Sequence, residues 1–370
     1  MKTIVHVVGA RPNYMKIAPL MDALTGAAGV KQVLVNTGQH YDEAMSKGFL
    51  RELKLPVPDF DLEVGSASHA VQTARVMMKF ETVCTEVRPD LVVVVGDVNS
   101  SMAATLVASK LGISVAHVEA GLRSFDRTMP EEINRMVTDR LADVLLTPSA
   151  DADDNLLAEG TPAERIHLVG NIMIDTLMRH LPFATFDRVQ SRAPVADKGY
   201  AVLTLHRPSN VDDPKALGPI LEAVATIARR LPVVFPVHPR TRERLASFGL
   251  DGLLANVTLT EPLGYVDFLS LTSHARLILT DSGGLQEEST ALGIPCLTLR
   301  ENTERPVTVT HGTNRIVGTR ASAILEGFEH AMSGAATDRR PPLWDGKTAG
   351  RIAAVLERFV SVPRQSGQPR

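Results

Sequence analysis

Short apolar runs rich in β-branched residues recur along the chain, and a longer stretch with helical spacing of apolar residues follows each of them. Six runs lie in the first half, at residues 3–8, 31–36, 91–95, 114–118, 144–147 and 166–169, and six in the second, at residues 200–205, 233–237, 257–259, 277–280, 296–299 and 315–317. Continuously apolar strands that alternate with helices are typical of parallel sheets covered on both faces. The pattern therefore predicts an α/β fold of two doubly wound, Rossmann-like parallel-sheet domains, with ligand bound outside the carboxyl ends of the strands.

A stretch with a weaker apolar pattern, residues 180–198, separates the two sets of strands and contains Pro182 and Pro194. Domain boundaries fall in such linkers. The sequence therefore predicts an N-terminal domain over residues 1–180 and a C-terminal domain over residues 199–345. A last helical pattern and a polar end predict a closing helix and tail over residues 346–370.

The composition narrows the class of protein. The chain has 370 residues, 44% of them hydrophobic and 22% charged, and a net charge of -3. This charge gives no electrostatic case for nucleic acid as the main partner, and no apolar run approaches the roughly 20 residues of a membrane span. Cys84 and Cys296 lie far apart, without a Cys or His at metal spacing beside either. We therefore expect no disulfide framework, no metal site and a cytoplasmic location.

Cationic residues follow the first predicted strand. Gly9 permits a sharp turn, and Arg11 and Lys16 then lie near the N-terminus of a helix, where anions are favoured. The same two residues also fit the role of solvated surface cations. The turn lacks the G-x-G-x-x-G fingerprint, which disfavours a nicotinamide dinucleotide cofactor.

Three acids follow strands in the first half of the chain. Asp97 comes two residues after the third run, Glu119 follows the fourth, and Glu131 comes next to Pro130 at the start of a helix. Because neighbouring strand ends of a parallel sheet lie close together, these carboxylates are candidates for one acid–base group, in which crowding separates their pKa values. Proline and acids also open ordinary helices, so Glu131 taken alone fits a capping role better.

The second half carries histidines at its strand ends. His206 and His238 each follow a predicted strand and lie close to an arginine. This setting favours a proton or ligand role for them over a purely structural one.

The most specific local pattern in the sequence lies at residues 277–289, where it predicts a strand, the turn DSGG and a helix. Gly283 and Gly284 expose backbone N–H groups at the helix N-terminus, which suits a diphosphate, and Ser282 adds a hydroxyl donor. An acid two turns along the helix suits ribose hydroxyl groups, and Arg305 after the next strand supplies further charge for phosphate. A plain strand–turn–helix with serine as its cap is the alternative.

These features match the general plan of nucleotide-sugar glycosyltransferases, in which two α/β domains face a cleft and the second binds the nucleotide. A transferase needs only one or two acid–base groups. The first half of the chain offers three candidate carboxylates, which is more than a transferase needs.

Nine short motifs carry a family likeness. They are GARP at residues 9–12, TGQH at 37–40, GDVNS at 96–100, HVEAGLRS at 117–124, PEEINR at 130–135, VGNIMIDT at 169–176, HRPSN at 206–210, DSGGLQEE at 281–288 and TERP at 303–306. In order and spacing they resemble the non-hydrolysing UDP-N-acetylglucosamine 2-epimerases over nearly the full chain. The resemblance implies a GT-B type fold, a homodimer, and cofactor-free epimerisation of UDP-N-acetylglucosamine to UDP-N-acetylmannosamine, in which UDP is eliminated to leave a glycal and then added back.

The resemblance also implies roles for individual residues. The catalytic group that it implies is Asp97, Glu119, Glu131 and His206. The residues that it implies for binding the UDP sugar are Arg11, Lys16, Leu263, Phe268, Ser282, Gly283, Gly284, Glu288 and Arg305. From its position alone, Phe268 fits a core residue as well as a ring stacked on uracil.

One departure from the family pattern concerns the substrate. The segment SFDRTM at residues 124–129 is two residues shorter than the corresponding segment of many bacterial members. This shorter form occurs in relatives that act on a diacetamido-uronic acid nucleotide. The same 2-epimerisation on such a modified UDP sugar is therefore an alternative, as is a UDP-releasing hydrolysing epimerase or a glycosyltransferase.

A second departure concerns regulation. The QHREM and HRREN motifs of substrate-activated members read QHYDEAM at residues 39–45 and HRPSN at residues 206–210 here. The missing arginine and Arg-Glu pair predict weak or absent activation by UDP-N-acetylglucosamine.

Overall fold

Seven parallel strands form the sheet of the N-terminal unit in the part of the chain that the structure, a computed structural model, describes: residues 1–39, 53–334 and 340–362. They are β1 (Lys2–Val8), β2 (Val30–Asn36), β3 (Phe60–Asp61), β4 (Leu91–Val95), β5 (Ser114–Val118), β6 (Val144–Thr147) and β7 (Ile166–Leu168). Their order across the sheet is β3-β2-β1-β4-β5-β6-β7. All five residues of β4 are buried, as expected of a strand covered on both faces.

Six parallel strands form the sheet of the C-terminal unit within the same described residues. They are β8 (Ala201–Thr204), β9 (Val233–Pro236), β10 (Val257–Thr260), β11 (Leu277–Thr280), β12 (Cys296–Thr298) and β13 (Asn314–Ile316). Their order is β10-β9-β8-β11-β12-β13. Aliphatic side chains of β8, β9 and β11 pack into one core with those of the helix Pro214–Ala228.

Helices connect the strands. They are α1 (Arg11–Ala23), α2 (His69–Val87), α3 (Asn99–Lys110), α4 (Pro130–Leu141), α5 (Ala150–Ala158), α6 (Ile172–His180), α7 (Phe186–Gln190), α8 (Pro208–Val211), α9 (Pro214–Ala228), α10 (Pro239–Phe248), α11 (Tyr265–Ser273), α12 (Gly283–Leu292), α13 (Val307–Thr310), α14 (Ala321–Met332) and α15 (Thr348–Ser361). Short 3-10 helices span Ala163–Arg165, Leu181–Phe183 and Asp251–Leu254. None of the helices in the described residues combines the length and apolar character needed to cross a membrane.

The end of the chain belongs to the N-terminal unit. One compact unit comprises Met1–Thr176 with Pro342–Arg370, and the other comprises Leu177–Pro341. The Trp344 indole donates to the Pro148 carbonyl at 3.0 Å, and the Asp175 carboxylate accepts from the first amides of α15, those of Thr348 and Ala349, at 3.1 and 2.8 Å. These bonds hold α15 on the N-terminal unit. The domain limits 1–180 and 199–345 stay a prediction.

Each sheet has one point at which the order of its strands reverses. In the N-terminal sheet it lies between β1 and β4, and in the C-terminal sheet between β8 and β11. Ligands of open α/β sheets bind outside the carboxyl ends of the strands at such points. All twelve predicted strands are present, so the prediction of two doubly wound parallel-sheet domains is confirmed. The sequence pattern did not predict the two-residue strand β3. Residues 40–45, which belong to the motifs quoted at 37–40 and 39–45, lie outside the described residues.

Candidate active site

Lys16 and Glu119 form a buried ion pair at the carboxyl edge of the N-terminal sheet. Lys16 lies in the second turn of α1, Glu119 directly follows β5, and Lys16 Nζ contacts Glu119 Oε2. Their side chains are only 8% and 6% exposed. Removing either partner would therefore leave a buried charge without its counter-ion, which destabilises a protein strongly.

The backbone of Glu119 is held in an uncommon conformation. Its φ of 74° lies in the left-handed region, which costs a non-glycine residue free energy. The amides of Glu119 and Ala120 both donate to the carbonyl of Leu146 on β6, at 3.0 and 3.1 Å. These bonds fix the direction in which the Glu119 side chain leaves the end of its strand.

Gly96 brings Asp97 next to the ion pair. Its φ is 64°, and a Cβ atom added to it would lie 3.0 Å from Lys16 Nζ and 3.3 Å from Glu119 Oε2. Glycine therefore satisfies both the backbone conformation and the close approach of the two charged groups. The structure thus brings together three of the predicted site residues, Asp97, Glu119 and Lys16.

Helix α4 holds Asp97 by both its side chain and its backbone. Arg135 Nη1 donates to Asp97 Oδ2 at 2.5 Å, and Asn134 Nδ2 donates to the Asp97 carbonyl at 2.9 Å. The Asp97 carboxylate is 31% exposed, whereas the Arg135 side chain is buried. Asp97 therefore presents a carboxylate that is oriented by a buried cation and still accessible from one side.

Glu132 in turn fixes Arg135. Arg135 Nη2 lies 2.8 Å from Glu132 Oε2, and Glu132 also accepts from the amides of Ser124 and Phe125 at 3.0 and 2.9 Å. Burial acts to raise the pKa of Glu132, but these amides and the Arg135 charge outweigh it and lower the pKa overall. Ionised Glu132 thus links the segment 124–129 to the guanidinium that holds Asp97.

Glu131 and Arg11 lie in the first turns of α4 and α1, and both are exposed. Glu131 is the neighbour of Glu132 and follows Pro130, so its position fits helix capping as well as catalysis. That Glu131 belongs to the catalytic acids stays a prediction, and so does the binding of a phosphate by Arg11.

His206 and Asp281 form the centre of the candidate site in the C-terminal unit. They follow β8 and β11, which are neighbours in the sheet, and His206 Nδ1 lies 2.8 Å from Asp281 Oδ1. The Asp281 carboxylate also accepts from the amides of His206 and Arg207, each at 3.0 Å. Burial acts to raise the pKa of Asp281, but His206 and these amides lower it overall. Asp281 is therefore ionised and holds the imidazole, whose side chain is about half exposed.

The turn after Asp281 starts helix α12 with Ser282 as its N-cap. Ser282 Oγ accepts from the Leu285 amide at 3.5 Å, so the capping role that the sequence left open is present. Gly283 and Gly284 are the first two residues of this ten-residue helix. Unpaired amides and the partial positive charge at a helix N-terminus favour an anion there.

Arg305 lies against this turn. A Cβ atom at Gly283 would be only 2.6 Å from Arg305 Nη1 and 2.7 Å from Glu304 Oε1. The guanidinium is held by Glu287 Oε1, 2.6 Å from its Nε atom, and by Glu304 Oε1, 2.7 Å from Nη1. Gly283 therefore allows a positioned cation to approach the first turn of the helix.

Glu304 gathers three arginines beside the turn. Arg305, Arg300 and Arg207 place guanidinium nitrogens 2.7, 2.9 and 3.3 Å from its oxygens. Burial acts to raise the pKa of Glu304, but the three cations lower it well below its ordinary range. One buried carboxylate thus collects an excess of positive charge, which suits a diphosphate.

Glu288 lies further along α12 in a different setting. Tyr265 on α11 donates its hydroxyl to Glu288 Oε1 at 3.2 Å. Burial, with a smaller contribution from the charge of Glu287, raises the pKa of Glu288 to about 7.

Leu263 and Phe268 lie before and within α11, are partly buried, and pack against the apolar cluster that includes Leu285. Their role toward uracil stays a prediction.

The groups that hold the site residues were not predicted from the sequence. Arg135, Glu132 and the holding role of Asp281 emerge only from the structure, although all three lie within the quoted motifs. His238 serves as the N-cap of α10, because its Nδ1 atom accepts from the Arg240 amide at 3.3 Å. In the described part of the chain, no three His, Cys, Asp or Glu side chains are grouped as metal ligands would be.

Comparisons with known proteins identify relatives that span nearly the whole chain. Residues 22–357 match the family model described as UDP-N-acetylglucosamine 2-epimerase. The UDP-N-acetylglucosamine 2-epimerase of Methanocaldococcus jannaschii is 43% identical over 358 residues, which cover 95% of this chain and 97% of that protein. The UDP-2,3-diacetamido-2,3-dideoxy-D-glucuronate 2-epimerase of Pseudomonas aeruginosa is 38% identical over 362 residues, which cover 96% of this chain and 99% of that protein.

A solved structure extends the likeness to the fold. It is the crystal structure of the Methanocaldococcus jannaschii UDP-GlcNAc 2-epimerase in complex with UDP-GlcNAc and UDP. It matches with a TM-score of 0.88 and 41% identity, and covers 97% of this chain and 100% of that chain. The match confirms the GT-B type of fold.

Proposed function

Because this chain belongs to the UDP-N-acetylglucosamine 2-epimerase family and is therefore an isomerase, we propose that it inverts carbon 2 of UDP-N-acetylglucosamine without a cofactor. The product is UDP-N-acetylmannosamine. A homodimeric enzyme located in the cytoplasm is the matching prediction for its assembly and location.

The chemistry of the substrate narrows the route. The hydrogen on carbon 2 of a nucleotide sugar is not next to a carbonyl group, so direct deprotonation is very difficult. In the proposed route a base takes this proton, the C2–H electrons form a C1–C2 double bond, and the C1–O electrons leave with UDP. An acid then delivers a proton to the other face of carbon 2 while UDP adds back to carbon 1.

The observation that carries the proposal is the pair of acids beside Gly96. Asp97 pairs with Arg135 and Glu119 pairs with Lys16. Two neighbouring carboxylates with separate cationic partners have distinct electrostatic surroundings, which is the condition under which two acids take different roles in proton transfer. Asp97 and Glu119 are therefore the leading candidates for the acid–base groups, with Glu131 as the third.

The C-terminal unit supplies groups for the leaving diphosphate. Ser282, Gly283 and Gly284 offer a helix N-terminus, and Arg305 offers a positioned cation. Donors that face a developing negative charge lower the barrier for its formation. His206 would steady or protonate the diphosphate, and Glu288 would bind ribose hydroxyl groups.

The sugar itself has a second candidate. The Pseudomonas aeruginosa relative is named for a 2,3-diacetamido glucuronate, and the segment 124–129 of this chain has the shorter form that the family resemblance associates with such substrates. Phe125 in this segment is 77% exposed, with φ of 59°. Epimerisation of the diacetamido-uronic acid nucleotide is therefore the alternative activity.

One assay tests the proposal. The protein is incubated with UDP-N-acetylglucosamine in deuterated water without added cofactor, and the products are followed by NMR. Deuterium at carbon 2 of a UDP-bound manno product is the expected result. Free UDP with free sugar would indicate hydrolysis, and no reaction would direct the assay to the diacetamido-uronic acid nucleotide or to a transferase acceptor.

Matched variants test the assignment of the acids. Asp97→Asn and Glu119→Gln keep the size of each side chain and remove its charge. Both should abolish deuterium exchange while UDP binding survives in protein whose Tm shows that it is folded, because Glu119→Gln also leaves Lys16 without its buried counter-ion. Glu131→Gln asks whether the third acid belongs to the group. Activity that survived the first two changes would refute the assignment.

A further inference from the structure

His117 is a buried histidine whose two ring nitrogens both face hydrogen-bond acceptors. It lies on β5, two residues before Glu119, and its side chain is fully buried. His117 Nε2 lies 3.0 Å from the Gly96 carbonyl, and Nδ1 lies 2.6 Å from Asp139 Oδ1. A carbonyl only accepts, so Nε2 carries a proton.

The surroundings of Asp139 determine the state of the other nitrogen. Asp139 Oδ2 accepts from Arg123 Nη1 at 2.6 Å and from the Gly121 amide at 3.1 Å. The guanidinium and the amide both donate to this carboxylate, and the ionised form is the one that such donors stabilise. An ionised carboxylate has no proton to give, so Nδ1 also donates.

The contacts of this pair join the three segments that carry the candidate acids. The Gly96 carbonyl precedes Asp97 at the end of β4. His117 and Gly121 flank Glu119 at the end of β5. Asp139 lies on α4, the helix that also carries Glu131. All three segments therefore meet at one buried ion pair.

We propose that His117 is a doubly protonated positioning residue, and that its pair with Asp139 fixes the spacing of Asp97, Glu119 and the helix of Glu131. Hydrogen bonds at both ends of a planar ring define its orientation completely, and burial makes any change in the pair costly. The kinetic consequence rests on the proposed 2-epimerase function, whereas the protonation state does not.

The first experiment determines the protonation of the two nitrogens in the unmodified protein. Histidine labelled with ¹⁵N is incorporated, and a two-bond ¹H–¹⁵N spectrum is recorded near neutral pH. His6 is the internal reference, because it is equally buried, bonds Gln32 at 3.0 Å, and has its pKa lowered to about 4 by burial. His117 should show two protonated nitrogens and His6 one. A neutral His117 would overturn the proposal.

The second experiment separates the two bonds of His117. In His117→Asn the amide replaces the Nδ1 donor and the bond to Gly96 is lost, whereas in His117→Gln the amide reaches the Nε2 position and the bond to Asp139 is lost. Since displacements of about 1 Å reduce turnover by about 100-fold, the rate of deuterium exchange should fall by about that factor in at least the Asn variant. Binding of UDP alone should stay within about twofold.

His6→Gln is the matched control for loss of a buried histidine. It should lower Tm while kcat is kept, which is how a purely structural residue behaves. If both His117 variants fold and exchange deuterium as fast as His6→Gln does, the positioning role is refuted. If the wild-type protein shows no exchange with any UDP sugar, the proposed function fails, and the nitrogen spectrum still decides the protonation state.

Discussion

Asp281 holds His206 by the Nδ1 atom of the imidazole ring, 2.8 Å from Asp281 Oδ1. The carboxylate is fully buried, whereas the ring extends into a half-exposed position. Because the carboxylate accepts, Nδ1 carries the proton and Nε2 is the nitrogen presented for contact with a ligand. Asp281 therefore sets both the orientation and the tautomer of His206, a division of roles familiar from acid–base pairs in hydrolases.

Replacing Asp281 with Asn should impair turnover more than binding. The amide nitrogen of Asn can donate to Nδ1, which turns the imidazole to the wrong tautomer. We expect kcat to fall by roughly 10²- to 10⁴-fold, with a much smaller change in the Kd for UDP measured by calorimetry. A kcat within about threefold of wild type would show that His206 does not need this tautomer.

The same variant changes stability at acid pH. Because the pKa of Asp281 is lowered in the folded protein, its ionised form stabilises the fold above the ordinary aspartate pKa, and this contribution is lost as pH falls through the lowered value. Denaturant titrations of Asp281→Asn should therefore show a weaker loss of unfolding free energy on acidification than wild type does.

Glu288 should produce a pH dependence of the opposite sign. Burial raises its pKa to about 7, so the protonated form stabilises the fold. This contribution is complete below the ordinary glutamate pKa and is lost as pH rises through about 7. Its magnitude is at most about 3 kcal/mol. Glu288→Gln should remove this loss, so its unfolding free energy should gain on that of wild type between about pH 5 and pH 8.

Binding of UDP reports on the same group. Ionised Glu288 is the stronger acceptor for ribose hydroxyl groups, so the affinity of wild type for UDP should rise with pH through about 7. The affinity of Glu288→Gln should stay level over that range. Parallel pH profiles for the two proteins would show that Glu288 does not contact the nucleoside.

Arg135 should govern the orientation of Asp97. Its fork reaches both Asp97 and Glu132, whereas the single ammonium of a lysine does not reproduce that geometry. We expect Arg135→Lys to lower kcat by about 10- to 100-fold, as loss of orienting partners does elsewhere, with little change in UDP affinity. Arg165→Lys is the control, because the described contacts of Arg165 are with Ala142 and Asp143, which precede β6 at the amino edge of the same sheet.

Much of the fold follows from the apolar pattern, because β-branched runs such as β4 are buried along their full length. The strand β3 has only two residues, too few for a pattern to register. Asp97 and Glu119 were predictable because their strands are neighbours in a parallel sheet. Their partners were not, since Arg135 and Asp97 are 38 residues apart and His206 and Asp281 are 75 apart. Such pairs depend on helix packing and strand order, which no local spacing encodes.

Activation by substrate should be weak or absent. At residues 39–45 and 206–210 this chain lacks the arginine and the Arg-Glu pair that the motifs of activated family members contain. Initial rates measured against UDP-N-acetylglucosamine should therefore follow a hyperbola. A strongly sigmoidal curve would show that other residues bind the activating nucleotide.

Gly283 and Gly284 offer a matched pair of substitutions at the start of α12. A methyl group at Gly283 would meet Arg305 Nη1 at 2.6 Å and Glu304 Oε1 at 2.7 Å, whereas one at Gly284 would meet no described atom within 4 Å apart from its chain neighbours and the backbone of its own helix. Gly283→Ala should therefore lower the free energy of unfolding by about 1–3 kcal/mol, the usual cost of overpacking. Gly284→Ala should leave it unchanged or raise it by up to about 1 kcal/mol, because alanine reduces the entropy of the unfolded chain.

The two variants should then converge in their effect on ligand. Gly283→Ala displaces the cation beside the helix N-terminus, and Gly284→Ala places a methyl group where a diphosphate would contact the backbone amides. Both should weaken UDP binding by about tenfold or more, which corresponds to about 1.4 kcal/mol. The informative case is Gly284→Ala, because it separates binding from stability. Unchanged UDP affinity in a Gly284→Ala protein of normal Tm would mean that the diphosphate binds elsewhere than at the first turn of α12.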